Sequence, residues 1–202
     1  MSLLEWSEIV AANPKHYWTA NEFLAFVANS EFKHELIDGE VYDMSGGTGE
    51  HSQIAANIII CFGRRLQSTS CRVNTSDMML KVSDDRYLFP DVSVVCGNPE
   101  YEDESRLALL NPVIVVEVTS PSSAVDDRGL KRESYLRLPT VQAYLIVDQH
   151  RVCAELFERA DVGWRLQVFT NPDDVIVLET LNLKLPLAQV YRGITFGDKA
   201  AS

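Results

Sequence analysis

Two short apolar stretches of this chain each carry a single carboxylate. Tyr87 to Val95 reads YLFPDVSVV, with Asp91 directly after Pro90, and Val113 to Val118 reads VIVVEV, with Glu117 inside it. The second is β-branched almost throughout and is closed at both ends by proline and serine signals, so it reads as a buried strand, and the first repeats the arrangement. Side chains alternate along a strand, which puts Glu117 on a face with Val113, Val115 and Thr119, and Asp91 with Phe89, Ser93 and Val95. A lone carboxylate in such a place is costly unless a cation or a metal ion pairs with it. Downstream, a helix beginning near Asp127 places Lys131, Tyr135 and Leu138 on one face. Two strand carboxylates and a nearby lysine form a minimal site for phosphodiester cleavage. The carboxylates hold a hard divalent ion, Mg²⁺ or Mn²⁺, and the ammonium stabilises developing negative charge.

The same residues admit plainer roles. Asp91 could bond to backbone as a strand-entry residue, and Glu117 could pair with Lys131 or an arginine without any metal. Lys131 could pair with Asp127 one turn back on its helix, an exposed contact worth only about 0.3–0.5 kcal/mol. Glu35 reads as a solvated hairpin carboxylate, with a role as extra ligand or water-binding acid as the alternative. His51 reads as a helix-start residue, and Tyr135 as core with its hydroxyl at the edge of the site.

The elements that must position these residues follow from patterning. Thr19-Ala-Asn-Glu22 has capping-box spacing and opens a helix with an apolar face. Phe32 to Met44 reads as a hairpin turning at Asp38-Gly39. The glycine-rich loop Ser45 to Gly49 has no phosphate-loop spacing. A helix from about Ser52 to Gln67 buries Ile54, Ile58, Cys61 and Phe62. Strands are expected over Arg72–Val82 and Tyr87–Val95, joined at Ser83-Asp-Asp, and Asn98 to Leu110 reads as a surface loop with a short helix. After the Glu117 strand come the loop Ser120 to Asp127, the Lys131 helix to Leu138, and a strand over Ala143–Asp148. Antiparallel strands over Val152–Glu158, Trp164–Thr170 and Val175–Leu185 complete the series. The order predicts one mixed α/β domain over residues 19–187, with an N-terminal extension 1–18 and a C-terminal tail 188–202.

The totals bound the partners. A chain of 202 residues with 46% hydrophobic content can bury a substantial core. No apolar run is long enough for a transmembrane helix, and the opening MSLLEWSEIV shows no secretory signal, so a cytoplasmic protein without membrane association is expected. The four cysteines form no CxxC pair and are expected to be reduced, mostly buried thiols. A net charge of −11 argues against a protein that coats nucleic acid by bulk electrostatics. It leaves room for an enzyme with a local basic patch, drawn from Arg64, Arg65, Arg72, Lys81, Arg128 and Arg132.

Several segments, in order, resemble a known family. Pro90-Asp91, Val115-Val-Glu-Val-Thr-Ser-Pro-Ser122, Asp127-Arg-Gly-Leu-Lys131 with Tyr135, and Tyr144-Leu-Ile-Val-Asp148 are similar to the Uma-two type of endonuclease, a branch of the PD-(D/E)XK restriction-endonuclease-like superfamily. His34-Glu-Leu-Ile-Asp-Gly-Glu40 and His51 match the same pattern, and the resemblance spans about Thr19 to Leu187. It implies a central mixed β-sheet flanked by helices, with Asp91, Glu117 and the backbone carbonyl of Val118 as metal ligands. It departs from the parent motif at Thr119, which stands where the strand lysine belongs, so Lys131 on the helix takes that role. The implied function is Mg²⁺-dependent hydrolysis of DNA, by an enzyme expected to act as a homodimer. The rival readings are a non-catalytic binding module of the same fold and a metal-dependent hydrolase of a smaller phosphorylated substrate.

Overall fold

The computed structural model describes residues 16–44, 46–119 and 127–196, except the side chains of Asp127 and Arg128. The Ser120–Asp126 part of the expected loop lies outside the described residues, as do residues 197–202 of the tail and most of the N-terminal extension.

Helix α1 (Ala20–Val27) starts with the expected box: Glu22 N–H donates to Thr19 Oγ1, and the Glu22 carboxylate accepts from Thr19 N–H at 2.8 Å. Strands β1 (His34–Ile37) and β2 (Glu40–Asp43) form the expected hairpin. Asp38 and Gly39 both take positive φ, 52° and 80°, as a tight two-residue hairpin turn requires. Helix α2 (Gly49–Leu66) begins earlier than its apolar stripe suggested, because Thr48 caps it through the His51 N–H.

The next two expected strands each break in two. Residues 72–82 give β3 (Cys71–Thr75) and β4 (Met79–Ser83), and residues 87–95 give β5 (Arg86–Leu88) and β6 (Val92–Cys96). The halves belong to different sheets. One sheet has the order β2-β1-β5-β4-β7, where β7 is Ala108–Leu109. Residues 98–110 thus supply a strand parallel to β4, where a short helix was expected. Pro90 cannot donate to a ladder, so the chain leaves the first sheet there and re-enters the second at Val92.

The second sheet has the order β11-β10-β9-β8-β6-β3. Its new members are β8 (Ile114–Thr119), β9 (Ala143–Asp148), β10 (Ala154–Arg159) and β11 (Trp164–Phe169). β8 and β9 run parallel, joined through α3 (Asp127–Arg137), and the other pairs are antiparallel. The expected strand Val175–Leu185 is a hairpin, β12 (Val175–Leu178) and β13 (Leu183–Pro186), turning through a short 3₁₀ segment to Asn182 at φ 49°. Packing continues into α4 (Leu187–Val190), where Leu187, Val190 and Tyr191 are buried.

The sheet faces sort as alternation requires. Ile114, Val116 and Val118 pack with Ile54, Ile58 and Phe62 of α2, together with β12, β13 and α4. Val95, Val115, Tyr144 and Ile146 pack with Tyr135 of α3 and Leu138 just after it on the opposite face. A third cluster, Phe23, Leu36, Met79, Tyr87 and Ala108, seats α1 on the first sheet.

The expectation of four reduced thiols fails for one pair. Cys71 on β3 lies directly opposite Cys96 on β6, with Cα atoms 3.9 Å apart, and the two form a disulfide. Antiparallel register alone brings the side chains together. Cys61 and Cys153 are buried and take no part in a disulfide.

Candidate active site

The pairing of β6 with β8 decides where the two carboxylates meet. Val92 faces Val116, so one step further along this antiparallel register Asp91 comes opposite Glu117. Directly opposed residues share a face, here the face covered by α3. A hydrogen bond fixes the approach: Val118 N–H donates to Asp91 Oδ2 at 2.7 Å. Asp91 Oδ1 lies 2.7 Å from His51 Nε2. Asp91 therefore sits at the junction between the two sheets, outside the strand proper, held by donors from β8 and α2.

Glu117 is 7% exposed, and Tyr135 Oη donates to its Oε1 at 3.0 Å. Burial pushes its carboxyl up to about 8. Lys131 opposes that shift, while the neighbouring carboxylates Asp91 and Glu35 add to it. Glu117 thus takes up a proton more readily than an ordinary carboxyl. The hydrogen bond to Asp91 raises His51 above the ordinary imidazole range, against the pull of burial.

Lys131 reaches into this cluster. Its Nζ lies 2.8 Å from Glu35 Oε1, and the Phe89 N–H donates to the same oxygen at 2.9 Å. Glu35 is 6% exposed, which corrects the expected solvated hairpin carboxylate. Consecutive residues His34, Glu35 and Leu36 of β1 are all buried, so both its faces are covered. The signal was present in the sequence, since Ile37, two residues on, shares its face and needs cover. His51 has the helix-start position expected of it and a partner as well. It lies three residues before Ile54 and seven before Ile58, on the buried stripe of α2, which carries its ring inward.

These groups open onto a cleft of about 1160 Å³ whose lining includes His51, Asp91, Glu117, Val118, Glu35 and Lys131. Five carboxylates (Glu31, Glu35, Asp43, Asp91, Glu117) face two lysines (Lys33, Lys131) along it. Such a wall rejects a phosphate unless a cation enters first. Among the described residues no group of three or more His, Cys, Asp or Glu side chains is arranged to hold a metal. Asp91 and Glu117 supply hard oxygen donors, and any proton on Glu117 is one that an ion would displace.

Of the residues named from the sequence for a basic patch, none lines this cleft among the described residues. Lys81 is taken up by Asp84 and Glu102. Arg132 instead lines a second groove of about 850 Å³ on the outer side of α3, with Arg137, Glu133, Leu136 and Trp164. Leu130 borders both hollows.

With the geometry in place, the chain can be set beside known proteins. Residues 20–188 match the Uma2 family model, described as "Putative restriction endonuclease". Two uncharacterized proteins of Synechocystis sp. are related along most of their length. The protein slr1290 is 34% identical over 176 residues, covering 87% of this chain and 92% of its own. The protein sll1609 is 30% identical over 150 residues, covering 73% and 85% respectively. A crystal structure from Anabaena variabilis, described as a "putative nuclease belonging to DUF820", superposes with a TM-score of 0.71. That likeness covers 86% of this chain and 97% of the other at 18% identity, and it shows a shared fold.

Proposed function

The chain belongs to the Uma2 family, and from that membership we propose that it is a metal-dependent endonuclease hydrolysing DNA phosphodiester bonds. The observation that carries the reading is that Asp91, one step beyond the β6–β8 register and bonded to Val118 N–H, lines with Glu117 an acidic cleft that Lys131 also enters. Asp91, Glu117 and the Val118 carbonyl would hold Mg²⁺ or Mn²⁺. A bound divalent ion supplies polarisation of the phosphate and acidification of a water. The chain's own residues do the rest. Glu35 holds the Lys131 ammonium at the cleft, where it offsets charge building on the phosphate. Tyr135 fixes one oxygen of Glu117 and leaves the carboxylate aimed at the opening.

DNA as substrate is supported by the family's description and by the second groove. Arg132 and Trp164 are residue types that hold phosphates and stack bases, and Leu130 borders both their groove and the cleft. A homodimer and a cytoplasmic location complete the proposal. One observation favours the non-catalytic alternative: Glu117 is buried and already accepts a hydrogen bond from Tyr135 without any metal.

The test is cleavage of supercoiled plasmid and of single-stranded DNA with Mn²⁺ or Mg²⁺, alongside calorimetric titration of Mn²⁺. Wild type should cut and bind the ion, and Asp91→Asn and Glu117→Gln should do neither. Lys131→Met should bind Mn²⁺ at least as well as wild type, because a competing positive charge is gone, and cut about 10²-fold or more slowly. Wild type that binds Mn²⁺ but cuts no DNA would favour the non-catalytic reading, and wild-type cleavage by Lys131→Met would remove the lysine from the site.

A further inference from the structure

We propose that His51 is a positioning residue that aims Asp91 at the metal, and that Gly47 exists to make room for its ring. The inference deepens the endonuclease reading and rests on it. Asp91 lies in a bend between β5 and β6, so no ladder holds its backbone on both sides. Two side-chain contacts take the place of a ladder. Val118 N–H binds Oδ2 and His51 binds Oδ1, each at 2.7 Å and from a different element. With one contact alone the carboxyl could still turn about its side-chain bonds, and with both it has one orientation. A carboxylate only accepts, so Nε2 of His51 carries the proton in this bond.

The start of α2 that carries His51 is itself anchored. The His51 backbone N–H donates to Thr48 Oγ1 at 3.2 Å, and the Thr48 hydroxyl donates to Gln149 Oε1 at 2.9 Å, tying the start of α2 to the end of β9. Gly47 lies directly against the ring. A Cβ there would come within 2.9 Å of His51 Cγ and 3.0 Å of Cδ2. The Gly47 backbone is not among the positive-φ glycines, so no turn demands glycine at this position. What demands it is the contact with the ring. Alanine at 47 is therefore free of backbone strain, yet it must push the imidazole off Asp91.

That makes Gly47 a remote handle on His51. The experiment compares full-length wild type, His51→Ala, His51→Gln and Gly47→Ala by calorimetric titration of Mn²⁺, with melting temperatures measured without metal and kcat and KM on plasmid DNA. His51→Ala should weaken Mn²⁺ binding about 10–100-fold, the usual cost of removing a group that orients a ligand. Gly47→Ala should weaken it in the same direction while melting close to wild type. Glutamine can donate from near the Nε2 position, so His51→Gln should recover most of the affinity. The loss should fall on kcat, with KM for DNA little changed, since His51 acts through Asp91. Wild-type Mn²⁺ affinity in a folded His51→Ala or Gly47→Ala protein overturns this inference alone. Absence of Mn²⁺ binding by wild type overturns the metal-dependent reading itself, and this inference with it.

Discussion

Glu117 is the residue whose chemistry is most altered by its place in the fold. It sits in a strand of valines with a tyrosine hydroxyl on one oxygen, and burial holds its proton up to about 8. Binding a divalent ion requires the carboxylate, so below that value each ion bound must displace a proton. Mn²⁺ affinity should therefore rise with pH, by at most about tenfold per unit, and level off near 8. Tyr135 donates to the charged form and opposes the upward shift, so Tyr135→Phe should move the levelling point to higher pH. Calorimetric titrations at a series of pH values would read both, and an affinity flat from pH 6 to 8 would contradict the assignment. The sign for stability is the reverse. A carboxyl whose folded value is raised stabilises the fold below its unfolded value and loses that contribution as pH rises toward 8, so the metal-free protein should be most stable on the acid side of that window.

At the scale of elements, the decisive events are the two places where expected strands break. Residues 72–82 and 87–95 look continuous by composition, yet each passes from one sheet to the other. Pro90 marks the second crossing, and Asp91 follows it at the seam. The same topology makes β3 an edge strand and sets Cys71 against Cys96 at its first position. Protein isolated without reductant and then denatured should show two reactive thiols, Cys61 and Cys153, and four after reduction. Four thiols before reduction would show that the pair stays open in solution. Face assignments, by contrast, were readable in advance. The alternation of Ile114, Val116 and Val118 against Val115 and Glu117 sorts the two cores, and the Lys131–Tyr135–Leu138 spacing gives the inner face of α3.

At the scale of the whole molecule, the six-stranded sheet ends in β11, whose outer edge has no strand beside it among the described residues. Leu166 and Val168 on that strand are 51% and 58% exposed. An open edge with apolar side chains pairs readily with another copy. A homodimer should therefore be found by sedimentation at tens of micromolar, and Leu166→Lys with Val168→Lys should shift it toward monomer. A clean wild-type monomer would reject this arrangement. The charge distribution also becomes visible only at this scale. A net charge of −11 does not reveal that five carboxylates gather along one cleft while Arg132 and Arg137 lie across α3.

The sequence by itself determined most of what is local. Capping boxes, the Asp38-Gly39 turn, apolar periods and strand alternation depend on neighbours a few residues away, so they locate α1, α2, the first hairpin, β8 and β9 closely. They also single out Asp91, Glu117 and Lys131 as chemically unusual, because a charge inside an apolar period is legible without knowing its partner. Which groups meet is a different kind of fact. Glu35 with Lys131 are 96 positions apart, and His51 with Asp91 are 40 apart. Each pairing was decided by sheet order and by the crossing at Pro90. Composition cannot encode such a crossing, because a strand that changes sheets has the same apolar pattern as one that continues.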